Sequence, residues 1–221
     1  MSHELRSPLA RLNVALELAG RDAGTAAGPA LDRAAREADR LNELIGRLLT
    51  LARLEGGALH PQQTMVDLSR LVSQIAADAD FEASAQNRRV RLVRCDECRV
   101  HGASELLHSA IENVIRNAIR YTAQGSDVEV TLVNNGDAQA PAAHLEIRDH
   151  GPGVPEDALR DIFKPFHRVS EARDRQSGGA GLGLAITEQA IQLHGGRVTA
   201  RNATGGGLVV QIVLPSLPEA M

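Results

Sequence analysis

Residues 178–186 read GGAGLGLAI, a glycine-rich stretch placed directly before an apolar run. Glycines at 178, 179, 181 and 183 run straight into an apolar helical pattern. The first N–H groups of a helix lack intrahelical acceptors and stand at the positive end of its dipole, so such a junction suits phosphate. No Gly-Lys-Ser/Thr follows, so the stretch is not a Walker A loop. It also lies near the chain's end, whereas a Rossmann fingerprint occupies the first βα turn. Alone, the loop leaves the nucleotide open, and its neighbours have to be read with it.

Three upstream stretches carry the same kind of chemistry. In ENVIRNAIRYT (112–122), Asn113 and Asn117 are four apart and share a helix face, with Arg120 and Tyr121 nearby. An amide oxygen is a hard donor of the kind Mg²⁺ accepts beside water and phosphate, although asparagine pairs on helices are mostly solvated. In DHGPGVP (149–155), Asp149 ends a strand and can accept from an exocyclic amino group such as that of adenine. Gly151 and Gly153 would let the backbone approach a flat ring, and an ordinary Gly-Pro-Gly turn is the competing reading. The third stretch is FKPFHR (163–168).

The 221 residues divide into two parts with different patterning. In residues 2–55, Leu5, Leu9, Leu12, Leu16 and Ala19 form one heptad-spaced seam, and Ala34, Ala38, Leu41, Ile45, Leu48 and Ala52 form another. Between them GRDAGTAAGP (20–29) breaks the pattern, and Pro29 suits a helix start. The expectation is an antiparallel helical hairpin. A lone helix pair leaves part of each seam wet, and two copies forming a four-helix bundle cover it.

EGGALHPQQ (55–63) then ends the helical pattern, with Gly56 and Gly57 as a hinge. Beyond it, a helix over 68–85 capped by Asp67, a strand over 88–94 and a long helix over 103–122 are expected. Strands over 127–135 and 143–150, helical segments at 155–162 and 181–194, and two closing strands over 196–204 and 206–215 complete the pattern. This is an α/β sandwich with helices on one face of a mixed sheet, and the fold class overall is α+β. Cys95 and Cys98 form CDEC between two strand-like stretches, where a hairpin turn is expected; with only His101 nearby as a further ligand, neither is given a role.

Composition removes several function classes. The chain is 43% apolar and 24% charged, enough for a packed core, and its net charge of −4 offers no basic surface for nucleic acid. One tyrosine, three phenylalanines and no tryptophan leave little to stack on bases. No apolar run approaches the roughly 18 residues needed to span a bilayer, so no membrane contact by this portion is expected.

Taken in order, the four stretches resemble the N, G1, F and G2 boxes of bacterial sensor histidine kinases, whose ATP-binding fold is shared with gyrase. The opening SHELRSPL (2–9) resembles the H box that only the kinases carry, and SHELRSPLARLNVAL is most similar to the Cpx-type envelope-stress group. The resemblance implies residues 1–57 as a dimerising phosphotransfer hairpin and 58–221 as a catalytic ATP-binding domain. It implies that His3 receives the γ-phosphate of ATP and that Glu4 takes or orients its proton. Ser7 stands where relatives carry Thr or Asn for the phosphatase reaction. Asn117 is implied to hold Mg²⁺ with Asn113 in support, Arg120 and Tyr121 to line the nucleotide, and Asp149, Gly151 and Gly153 to meet adenine. Arg168 with Gly179, Gly181, Leu182 and Gly183 would hold phosphates, under a mobile lid spanning HRVSEARDRQSGG (167–179).

The implied partners are a response-regulator receiver domain and a second copy of the chain. Pro8 lacks an N–H and is expected to bend the helix beside His3. Only Met1 and Ser2 precede His3, so the expectation is a truncated, cytoplasmic catalytic core of an inner-membrane parent. Three functions remain open at this point: a histidine autokinase, a nucleotide-binding and regulator-docking core without autokinase activity, and a serine kinase or ATPase on the same fold.

Overall fold

The computed structural model describes residues 28–57, 61–137, 140–169 and 180–217, together with Val14, Leu16 and Ala19. The chain splits into two compact units, Met1–Gly56 and Gly57–Met221. In the first, Val14, Leu16 and Ala19 are helical, and helix α1 spans Gly28–Glu55. Helix α1 buries Ala38, Leu51 and Leu54, while Leu41 and Leu48, seven apart, remain 44% and 42% exposed. It therefore has more apolar surface than its own unit covers.

The second unit begins with strand β1 (Thr64–Asp67) and helix α2 (Leu68–Ser84). Asp67 caps α2 as expected, its carboxylate accepting from the Arg70 N–H at 2.9 Å. Strands β2 (Arg89–Cys95) and β3 (Arg99–Gly102) precede helix α3 (Ser104–Tyr121). Strands β4 (Asp127–Asp137) and β5 (Ala140–Arg148) follow, then helix α4 (Gly183–Leu193) and strands β6 (Arg197–Asn202) and β7 (Leu208–Pro215).

Five strands form one sheet in the order β2-β4-β5-β7-β6. The β2–β4 pair is parallel and the others are antiparallel, so the sheet is mixed, as expected. Alternate residues of its central strands, including Val130, Leu132, Leu145, Ile147 and Ile212, are buried. Together with Leu68, Val72 and Ile75 of α2, Leu107, Ile111 and Ile115 of α3, and Ile191 of α4, they form one core. The opposite face carries exposed pairs such as Arg201–Glu146 at 3.1 Å, which contribute about 1 kcal/mol or less. Burying each large aliphatic residue contributes roughly 1.5–3 kcal/mol, so core packing decides which way the helices face.

Two local expectations are corrected. Strands β2 and β3 do not form a hairpin across CDEC: β3 pairs with β1 in a separate two-stranded sheet. The Asp96 N–H still follows β4, bonding the Leu132 carbonyl at 3.0 Å, and the Cys98 carbonyl accepts from the Leu68 N–H at 3.0 Å. No residue of this connection adopts the positive φ that a tight hairpin turn requires. The second correction concerns 155–162, which holds two short 3₁₀ turns, Glu156–Ala158 and Asp161–Phe163, rather than a helix. Pro165 forces Lys164 into an extended conformation and ends the second.

His194 locks α4 to the start of α3. The Ala103 N–H donates to its Nε2 at 2.9 Å, so that nitrogen is an acceptor. The proton therefore resides on Nδ1, which donates to the Ala190 carbonyl at 2.6 Å. Replacing His194 with Phe leaves the buried Ala103 N–H unpaired, and a loss of about 1–3 kcal/mol is expected, read by urea denaturation against the parent.

Candidate nucleotide-binding site

Helix α3 positions one side of the site. Its inner face is occupied by Leu107, Ala110, Ile111, Val114, Ile115, Ala118 and Ile119, which turns Asn113, Asn117 and Arg120 to a half-buried flank. Among the described residues neither asparagine amide has a hydrogen-bond partner, so both are available to a ligand.

Helix α4 brings the glycine-rich stretch to that flank. The Thr187 hydroxyl, fully buried, lies 3.0 Å from the Ala110 carbonyl and 3.1 Å from that of Gly183. A Cβ placed on Gly183 would stand 3.4 Å from Asn113 Oδ1, so the helix starts directly against the asparagine. The N-cap residue is Leu182, whose side chain is buried and makes no capping hydrogen bond. Among the described residues no side chain caps the N-terminus of α4, a geometry that suits an anion.

Gly181 joins this helix start to the FKPFHR stretch. Its φ is +69°, and a Cβ there would lie 2.9 Å from the His167 carbonyl oxygen. The Phe166 N–H donates to the Gly181 carbonyl at 2.9 Å, while Phe163 is buried in the core. Arg168 follows directly at half exposure, and Tyr121 is 38% exposed at the end of α3.

Asp149 supplies the other wall. It is 4% exposed at the end of β5, and its Oδ1 accepts from the Gly151 N–H at 2.8 Å and the Leu208 N–H at 3.1 Å. Burial pushes its carboxyl above the ordinary range, against the opposing pull of these two donors. The loop it opens is pinned to the end of α3, where the His150 N–H donates to Thr122 Oγ1 at 3.1 Å. A side chain on Gly151 would collide with the Tyr121 carbonyl, so only glycine allows that approach. Gly153 lies two residues on in the same loop with φ +73°.

The structure therefore joins parts of all four sequence stretches: 112–122 with 149–155 and with 181–186, and 163–168 with Gly181. His3, Glu4, Ser7, Pro8 and Gly179 lie outside the described residues, as does most of the segment read as a lid. Two positions that sequence reasoning passed over belong to the site: Thr122, 1% exposed, and Asn202, which touches the 149–155 loop. Thr122 was legible only as the polar residue closing an amphipathic helix.

Among the described residues no group of three or more His, Cys, Asp or Glu side chains is placed to hold a metal. A hard cation here would take the amide oxygens of Asn117 and Asn113, completed by phosphate and water. Cys98 is buried and its thiol is pushed up to about 11 chiefly by that burial. A groove between α2 and α3 is lined by Asp78, Glu82 and Glu112 beside His108 and Arg116; its carboxylates disfavour a triphosphate.

Residues 102–218 match the family of histidine kinase-, DNA gyrase B- and HSP90-like ATPases. Residues 1–57 match the His Kinase A (phospho-acceptor) domain. The chain belongs to the bacterial sensor histidine kinases. It is 37% identical over 97% of its length to the sensor histidine kinase CpxA of Escherichia coli K12. It is 33% identical over 100% of its length to the sensor-like histidine kinase SenX3 of Mycobacterium tuberculosis H37Rv. The chain spans 45% of the first protein and 53% of the second, about half the length of these relatives. Full-length ShkA, solved with AMPPNP, superposes on all of this chain with a TM-score of 0.83 at 26% identity, the match covering 45% of ShkA. An ATP-binding site in this fold follows from the family. No described helix is long and apolar enough to cross a membrane.

Proposed function

We propose that this chain is the catalytic core of an ATP-dependent protein-histidine autokinase, with residues 1–57 as the dimerising phosphoacceptor unit and 58–221 as the nucleotide domain. The observation that carries it is the meeting of an uncapped helix N-terminus with two unpartnered asparagine amides, across from a buried carboxylate. Asp149 accepts from the adenine amino group, and Gly151 and Gly153 admit the ring face. Tyr121 and Arg120 line the base and sugar. The N–H groups of Gly181, Leu182 and Gly183, with that of Gly179, and the Arg168 guanidinium take the phosphates. Asn117, supported by Asn113, holds Mg²⁺, which when bound neutralises phosphate charge.

His3 is the phosphoacceptor. Glu4 removes or orients the proton on one imidazole nitrogen while the other attacks the γ-phosphorus in line, and the bridging P–O bond to the β-phosphate breaks to release ADP. Positioning supplies most of the rate, since little covalent work falls to the protein. The phosphoryl group then passes to an aspartate of a receiver domain, and Ser7 aligns a water that hydrolyses this aspartyl phosphate to aspartate and inorganic phosphate, the opposing phosphatase reaction. The exposed Leu41 and Leu48 of α1 are the face that a second copy covers. This portion is the cytoplasmic part of a longer, inner-membrane sensor.

Two results test the reading. With γ-labelled ATP and Mg²⁺, the chain acquires an acid-labile, alkali-stable label that His3→Gln and Asn117→Ala both lack. No label, with nucleotide binding that Asn117→Ala weakens, would instead mark a nucleotide-binding and regulator-docking core; an acid-stable label would mark a serine kinase. The second result concerns pH. Adenine needs the ionised form of Asp149, and burial raises that carboxyl above the ordinary aspartate value near about 3.9. Nucleotide affinity is therefore full above the raised pKa and falls as pH drops through it, and Asp149→Asn removes that part of the profile in a fluorescent-nucleotide titration.

A further inference from the structure

We infer that Asn202 is a positioning residue for nucleotide selection, holding the 149–155 loop in the shape that presents Asp149 to the base. The inference rests on the reading of that loop as the adenine contact. Asn202 is the last residue of β6, far from the loop in sequence and in contact with it in space. Its Oδ1 accepts from the Val154 N–H at 2.9 Å, and its Nδ2 donates to the Val154 carbonyl at 2.7 Å. The second Nδ2 hydrogen goes to Glu156 Oε1 at 2.8 Å. One side-chain amide thus imitates a neighbouring strand for Val154 and reaches the start of the following 3₁₀ turn.

Only a primary amide does this with one planar group: it offers an acceptor and two donors at fixed angles. Its orientation is settled by the partners, since the Val154 N–H can only donate and the Glu156 carboxylate only accept. The loop is also pressed onto it, because a Cβ on Gly153 would lie 2.7 Å from Asn202 Oδ1. Asn202 pairs with Leu208 across the β6–β7 hairpin, and the Leu208 N–H is one of the two donors on Asp149. The same hairpin end therefore grips the loop at both ends, at Asp149 through Leu208 and at Val154 through Asn202. If the second grip opens, the loop relaxes around Gly151 and Gly153, and the carboxylate loses its fixed aim. The phosphate subsite on α4 is carried by different elements and is left intact.

That separation gives the test. Affinities for ATP, GTP and inorganic tripolyphosphate are measured on the full chain, in the parent and in Asn202→Ala, Asn202→Asp and Asp149→Asn, with thermal unfolding recorded for each. Asn202→Asp retains size and the acceptor for Val154 but loses both donors and places a carboxylate against Glu156. Both Asn202 variants are expected to weaken ATP by about tenfold and to narrow the ATP-over-GTP preference, with tripolyphosphate affinity unchanged. Parent-like ATP binding in the Asn202 variants, with Asp149→Asn weakened, overturns the positioning role and leaves the adenine reading standing. Equal loss for ATP, GTP and tripolyphosphate with a lowered unfolding temperature also overturns it, as a purely structural role. An Asp149→Asn variant with full ATP selectivity removes the adenine reading, and this inference with it.

Discussion

A carboxylate that is 4% exposed must be met by donors, and the donors that meet Asp149 come from two separate places. One is its own loop, through Gly151, and the other is the start of β7, through Leu208. Each bond is worth about 1.5–3 kcal/mol where the acceptor is charged, and burial still outweighs them in setting the direction of its pKa. Ionised Asp149 is therefore held under tension between desolvation and hydrogen bonding. A ligand amino group that adds a further donor would relieve that tension.

The remaining site is built around helix α3. Its buried stripe fixes its rotation against the sheet, and that rotation leaves the asparagine pair on the flank where α4 begins. Thr187 and Gly183 close the distance between the two helices, while Thr122 and the Tyr121 carbonyl receive the loop after β5. Glycine is required where backbone meets backbone, at Gly151, and where the chain turns with positive φ, at Gly181. Gly151 and Gly181, read from sequence as ring and phosphate contacts, are thus required by packing in their own right.

Much of this was legible in the residues themselves. Alternation in β4, β5 and β7 and the amphipathic stripe of α3 are strong local signals, and Asp67 announced the start of α2. The asparagine pair, Asp149 and the glycines stood out because their chemistry lies within short stretches. What was missed is non-local or too short to show a period. Strand β1 has four residues, and its pairing with β3 depends on contacts that no window of sequence contains. CDEC lay between two strand-like stretches, yet none of its residues takes the positive φ of a tight hairpin turn, and β3 goes to β1 instead. Thr122 and Asn202 serve the loop 28 and 48 residues away in the chain; Thr122 closes the 112–122 stretch with nothing local to show its partner, and Asn202 belongs to no motif. The segment 155–162 has helical composition, and the prolines that flank it prevailed over propensity.

On the proposed reading, the flank of α3, the loop after β5 and the start of α4 form one nucleotide site. The most direct measurement is a titration of the ¹⁵N-labelled full chain with ADP and Mg²⁺, followed by amide chemical shifts. The backbone amides of Gly151, Gly153, Gly181 and Gly183 and the side-chain amides of Asn113 and Asn117 are expected to shift along one common saturation curve. Shifts confined to the acidic groove between α2 and α3, around Asp78, Glu82 and Glu112, would contradict it.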